Sequence, residues 1–250
     1  MVAGATALLG CGACLAQTAP SPSTAAPLRV GIAPVFPPMI FKEGKEVAGI
    51  EADLAQALGR YLRRPVQFVE VDFSDLLEGL NAGRFDIAMS SISVTEARRF
   101  RAAFCNPYLQ IGQMMLVRAD DQYKYVLGDA APGKTKIGLK RGTTSDFFAQ
   151  QEFPKWKRKY YESGEPAAKD LLKEKIDLFI GDSPLVWYLA GAYEGRGLTV
   201  VPRAFTVENL AWGVRRSDTE LLESANAFLK KARESGEFDR ILHRWIPKFQ

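Results

Sequence analysis

Residues 89–100 read MSSISVTEARRF, which sets Ser90, Ser91, Ser93 and Thr95 ahead of Arg98 and Arg99. Hydroxyls and a guanidinium are donors, and the guanidinium fork matches a carboxylate through two parallel hydrogen bonds. These residue types, in this order, fit an anion receptor. They also fit a helix start, because Ser93 and Glu96 have the S-x-x-E spacing of a capping box. Capping needs one hydroxyl and the stretch holds more, so both readings stand. Arg98 lies about one turn into the expected helix, where its guanidinium reaches back towards the N-terminal end. Arg99 reads as a surface charge.

A second stretch repeats the device. Gly142, Thr143 and Thr144 open an expected helix, with Asp146 at capping-box distance from Thr143. Asp182 stands just past the apolar run DLFIG. An aspartate there serves as the N-cap of the next helix, a reading that Pro184 supports. It serves equally as a counter-charge for an ammonium group.

The elements that must carry these residues alternate. LRVGIA (28–33), VQFVEVD (66–72) and FDIAM (85–89) read as strands, separated by helical patterns at 49–62 and 73–83. A second cycle runs through strands at 134–140, 175–181 and 197–202, with helices opening at 142 and 183. ENLAWGVRR (208–216) reads as one more strand, followed by two helices divided at Gly236. Strands separated by helices of this length imply parallel βαβ units. Ligands of open α/β sheets bind beyond the carboxyl ends of the strands, where helix N-termini present free N–H groups. Both hydroxyl-rich stretches stand at such ends. Two α/β lobes with these ends facing each other would enclose a cleft.

Composition removes other chemistries. The 250 residues are 47% hydrophobic and 25% charged, with a formal charge of +4. No long basic stripe or reading motif marks a nucleic-acid footprint. The densest basic run, KWKRKYY (155–161), reads as a solvated helix face. The single histidine, His243, reads as a partly exposed helix residue, leaving nothing for a Ser-His-Asp triad or a multi-histidine metal site. No cofactor is expected. Met1 to Leu28 carries no charged side chain, and ATALLGCGACLAQ (5–17) has the form of an export signal. LLGC (8–11) makes Cys11 a candidate lipid-anchored first residue; cleavage after Ala16 is the alternative. Residues 17–27 read as a flexible tether.

The chain from Leu28 onward resembles the bacterial extracellular solute-binding proteins of the amino-acid type. LRVGIAPVFPPMIF, GIEADLAQALG, GRFDIAMSSISVTEARR, FCNPYLQIGQMMLVR, IGLKRGTTSDFF, DLFIGDSPLVWY and GEFDRILHRW carry the resemblance, in order. It implies a type II periplasmic-binding-protein fold: two α/β lobes joined by a two-stranded hinge, closing over a ligand in the cleft between them. One lobe would comprise residues 28–110 and 209–250, the other 111–208. By the same resemblance Arg98 takes a ligand α-carboxylate, with Ser91 and Ser93 assisting and Ser90 lining the cleft. Thr143 and Thr144 contact that carboxylate from the second lobe, Asp182 accepts the α-ammonium, and Phe36 packs over the ligand side chain.

Three departures qualify the pattern. Ala33 stands where binders of basic amino acids often carry an acid, Met39 replaces a common aromatic, and Cys105 reads as a buried free thiol. The implied function is delivery of a small α-amino acid to an ABC-type permease by an extracytoplasmic monomer. A cyclohexadienyl-dehydratase-like enzyme and a ligand-sensing module are the alternatives on this scaffold.

Overall fold

The computed structural model describes Met1, residues 25–126 and residues 133–246. Cys11, Cys14, Ala16 and the export-signal reading lie outside the described residues, as does most of the tether.

Two five-stranded sheets share one plan. In the first, Val66–Glu70, Leu28–Ile32 and Ile87–Ala88 are parallel neighbours, followed by the antiparallel Gly213–Val214 and then Ala103–Phe104. In the second, Lys157–Tyr160, Lys136–Leu139 and Leu178–Asp182 are parallel, followed by the antiparallel Gln113–Arg118 and then Leu198–Val200. Within each parallel set the chain starts on the middle strand, adds the outer neighbour next, and then crosses to the other side.

Both sheets are covered on two faces. Along Gln113–Arg118, Met114 and Leu116 join one apolar cluster, while Met115 and Val117 join another. That is the period of two that a strand imposes. The helix Ile50–Leu62 buries Ile50, Leu54, Ala55 and Leu58 against the first sheet. The C-terminal helices Thr219–Glu234 and Glu237–Trp245 return to the same helix, with Arg244 and the Trp245 indole N–H both 2.9 Å from Asp53 Oδ2. Gly236, between them, has φ 70°, a turn that glycine takes without a Cβ clash.

The chain passes between the sheets twice. Leu109–Ile111 leads from the first sheet into the second, and Glu208–Leu210 leads back; the two pair antiparallel, Ile111 opposite Glu208. The stretch 208–216, read from sequence as one strand, is thus two. Glu208–Leu210 belongs to the crossing ribbon and Gly213–Val214 to the first sheet. The basic run at 155–161 is also corrected. Lys157–Tyr160 is an edge strand paired with Lys136–Leu139, with Lys157 and Lys159 exposed. Cys105 is a buried thiol, which burial pushes up to about 12.

Gly112 sits just past the outgoing crossing strand, where a Cβ would lie 2.2 Å from the Thr206 carbonyl oxygen on the returning strand's approach. Backbone cannot swing aside as a side chain can. Gly112→Ala is expected to cost about 1–3 kcal/mol in urea unfolding. An unchanged unfolding midpoint would show that the crossing is less tightly packed than described.

Candidate functional site

Segments that follow the parallel strands of both sheets contribute side chains to one cleft. Its lining includes Phe36, Ser90, Ser91, Ser93, Arg98, Thr143, Thr144 and Asp182, the eight residues singled out from sequence. Phe73, Lys140, Ser163, Phe179 and Leu185 line it as well. The space amounts to about 640 Å³ counted out to its open mouth.

In the first lobe the chain leaves Ile87–Ala88 and turns sharply. Ser91 takes φ 51°, left-handed for a residue with a side chain. Its N–H donates to Glu51 Oε2 at 2.6 Å, which helps hold this turn. The Ser90 hydroxyl accepts the Ala33 N–H at 2.9 Å, fastening two strand ends together. Ser93 forms an antiparallel bridge with Leu210 of the crossing ribbon. That extended backbone delays the helix, which spans Glu96–Arg99. Thr95 is the N-cap, its hydroxyl accepting the Arg98 N–H at 3.2 Å. The Ser93–Glu96 capping box expected from sequence is therefore replaced by a cap two residues later, and the Ser93 hydroxyl turns to Glu208 instead.

Arg98 is held from two sides. Its Nη1 donates to the Ser93 carbonyl at 2.8 Å, and its guanidinium lies over the Phe73 ring, 5.2 Å from the centroid. Burial pushes its pKa down, while Asp182 and Glu208 push it back up. Arg99 is exposed and pairs with Glu96 at 4.0 Å.

In the second lobe, Thr143 caps the helix Thr144–Glu152, and its hydroxyl donates to the Lys140 carbonyl at 2.7 Å. Asp146 accepts the Gly142 N–H, the Gln150 amide and the Tyr160 hydroxyl, so its carboxylate is fully engaged in the turn. Asp182 occupies the N-cap position of Ser183–Ala192 but its side chain makes no capping hydrogen bond. It accepts instead from Gln113 Nε2 at 2.7 Å.

Gln113 went unrecognised in the sequence and is fully buried. Its amide nitrogen also faces Glu208 Oε1 at 2.8 Å and the Thr144 hydroxyl at 3.2 Å. Gln113 Oε1 and Glu208 Oε2 are buried without partners. Asp182 lines the cleft, and enclosure raises its carboxyl to about 7. The Gln113 hydrogen bond opposes that rise, Glu208 adds to it, and Arg98 opposes it. Burial also pushes Glu208 up, but hydrogen bonds from its neighbours outweigh this and leave it below the ordinary carboxylate range. The site thus holds a charged glutamate beside an aspartate on the edge of protonation.

Glu51 was also missed. It is fully buried, with Oε1 accepting the Tyr108 hydroxyl at 2.6 Å and Oε2 accepting from Ser91. Burial raises it to about 7, against the hydrogen bonds from Tyr108 and Ser91. Tyr108 precedes the outgoing crossing strand, and Trp212, whose ring lies 5.5 Å from that of Tyr108, follows the returning one. The spacing held a signal: Glu51, Leu54, Ala55 and Leu58 fall on one helical stripe, so a carboxylate was written into an apolar face.

The sequence profile of the bacterial extracellular solute-binding proteins, family 3, matches residues 28–248. The chain belongs to this family. This solute-binding protein is 27% identical over 217 residues to an arginine-binding periplasmic protein of Mannheimia haemolytica, covering 85% of this chain and 88% of that protein. It is 28% identical over 207 residues to a probable histidine-binding protein of Neisseria gonorrhoeae, covering 81% of this chain and 76% of that protein. Among solved structures, an ancestral amino-acid-binding protein described as a precursor of cyclohexadienyl dehydratase superposes with a TM-score of 0.79 at 32% identity. The match covers 87% of this chain and 94% of that one. A binding component of an ABC transporter from Wolinella succinogenes, complexed with lysine, gives a TM-score of 0.82 at 27% identity, with 87% and 94% covered. The two-lobed, type II fold inferred from sequence is the fold of this solute-binding protein.

The buried carboxyls set a pH dependence. Glu51 and Asp182 both titrate near 7 when folded and near 4 when unfolded. Between those values the folded protein binds more protons, so stability falls as pH rises through that window. The melting temperature of the ligand-free protein is expected to fall from pH 5 to pH 7.5. Glu51→Gln and Asp182→Asn should each flatten part of that slope. An unaltered slope in both variants would contradict the raised values.

Proposed function

We propose that this protein is a non-catalytic receptor that captures a small α-amino acid between its lobes, outside the cytoplasm, and delivers it to an ABC-type permease. The observation that carries the reading is the pairing of opposite charges across the cleft. Arg98 comes from the first lobe and Asp182 from the second, each shielded from bulk water and close enough to shift the other's titration. A zwitterion presents the complementary pair. In this reading residues 28–110 and 209–250 move as one lobe against 111–208, with the crossing ribbon as the hinge.

The roles follow from the chemistry of each group. Arg98 receives the α-carboxylate as a bidentate pair, with Ser93 beside it and the backbone N–H groups at the helix start of Thr143 and Thr144 adding donors from the second lobe. Asp182 accepts the α-ammonium, whose charge relieves the repulsion between Asp182 and Glu208. Ser91 shapes the turn that places these groups, Ser90 ties that turn to Ala33, and Phe36 packs against the ligand side chain. The arginine-, histidine- and lysine-related proteins named above support an amino acid over a sugar. Cys11 is a candidate lipid anchor in the same scheme, and the receptor acts as a monomer.

An enzyme on this scaffold is the weaker reading. Asp146, the acid in the second-lobe turn, has its carboxylate committed to three donors of its own helix and sheet. Assay of prephenate and arogenate turnover addresses this directly, and turnover would replace the receptor reading.

A thermal-shift screen of the twenty amino acids should find at least one stabilising ligand. At about a hundred times its Kd the ligand adds about 2.7 kcal/mol, or roughly 5–10 °C for a chain of this size. Arg98→Ala should lose that shift, because hydrogen bonds to a charged group are worth roughly 1.5–3 kcal/mol each. Arg98→Lys should keep only part of it. A full shift in Arg98→Ala would place the carboxylate elsewhere.

A further inference from the structure

Arg98 and Asp182 account for the two ends of a zwitterion, and one charged group lining the cleft is left over. Lys140 directly follows the strand Lys136–Leu139, central in the second sheet's parallel set. Its Nζ donates to the Glu162 carbonyl at 2.7 Å, which holds the long side chain in place and leaves two N–H donors. The Glu162 carboxylate stands 3.9 Å away and is almost wholly exposed, so it screens Lys140 weakly. Ser163, next in the chain, also lines the cleft, and its hydroxyl makes no capping bond to the helix it precedes.

Sheet order gives these groups a direction. Leu178–Asp182, Lys136–Leu139 and Lys157–Tyr160 lie side by side, with Gly138 paired to Phe179. Asp182 ends the first of these strands, Lys140 follows the second, and Glu162 and Ser163 follow the third. Strands are spaced about 5 Å apart. A ligand whose ammonium rests on Asp182 therefore meets Lys140 and Ser163 about 5–10 Å further across the strand ends. Phe36, Phe179 and Leu185 supply apolar walls on the way. Among the described residues lining the cleft, Asp182 is the only carboxylate. A cationic ligand side chain would have no acid of its own to meet and would face an ammonium.

We infer that Lys140, with Ser163, forms a side-chain subsite that reads a terminal oxygen acceptor, selecting a four- or five-carbon α-amino acid ending in a carboxylate or carboxamide and disfavouring basic ones. The inference rests on the cleft being an amino-acid receptor. It parts from the arginine and lysine named for the relatives, and it gives Lys140 a role that the zwitterion site leaves unfilled.

Calorimetric titration of the full chain tests it, with L-glutamate, L-glutamine, L-aspartate, L-asparagine, L-arginine, L-lysine and L-norvaline as ligands. At least one of the first four should bind ten or more times tighter than arginine, lysine and norvaline. The glutamate and glutamine arms separate a carboxylate from a carboxamide. Lys140→Met should cut the best ligand's advantage over norvaline at least tenfold, and Lys140→Glu should shift preference towards arginine and lysine. Melting curves of the variants check that they fold; Lys140→Gln, which keeps a donor, should fall between the unsubstituted protein and Lys140→Met. Tighter binding of arginine or lysine to the unsubstituted protein overturns the subsite while leaving the receptor intact, as does an undiminished advantage in Lys140→Met. Failure of every α-amino acid to bind overturns both.

Discussion

Asp182 and Glu208 both accept from the side-chain amide of Gln113, which brings two carboxylates to one nitrogen beside the cleft. Removing a carboxylate from water is costly unless donors replace the lost hydration. Here the donors are too few, since buried acceptors on Gln113 and Glu208 stay unpaired. The protein leaves a deficit of donors and positive charge at the point where Arg98 faces Asp182. An ammonium brings three donors and one charge to that deficit.

The same node joins recognition to movement. Gln113 begins the strand entered from the outgoing crossing segment, and Glu208 begins the returning one. Ser93, on the recognition turn, is bridged to Leu210 two residues further along. Glu51 extends the connection into the first lobe, holding Ser91 with one oxygen and Tyr108, at the edge of the ribbon, with the other. In the proposed receptor, a change in charge at the ligand would reach the crossing strands through short, buried hydrogen bonds. Such continuity allows a small event at the site to bias closure, because packed interfaces have discrete arrangements rather than continuous ones.

The fold was legible because alternation of strand and helix patterns dictates parallel units, and strand ends dictate where a ligand lies. Arg98 and Asp182 stood at such ends among hydroxyl residues. Gln113 was not legible, because only the antiparallel pairing of residues 113–118 with 178–182 sets it opposite Asp182. Glu208 read as an ordinary strand opening, since nothing in ENLAWGVRR tells that its first three residues cross between sheets. Ser93 looked like a cap because spacing alone ignores the bridge to Leu210 that keeps its backbone extended. The basic run at 155–161 failed for a similar reason: an edge strand tolerates exposed lysines as well as a helix face does.

The central claim is that the cleft reads both ends of a zwitterion at once. Its most direct test is calorimetry on the best amino-acid ligand alongside two stripped analogues, one lacking only the α-amino group and one lacking only the α-carboxylate. The account predicts that each analogue loses affinity by about a hundredfold or more, the worth of two charge-assisted hydrogen bonds. Retention of affinity within about tenfold by either analogue would contradict it.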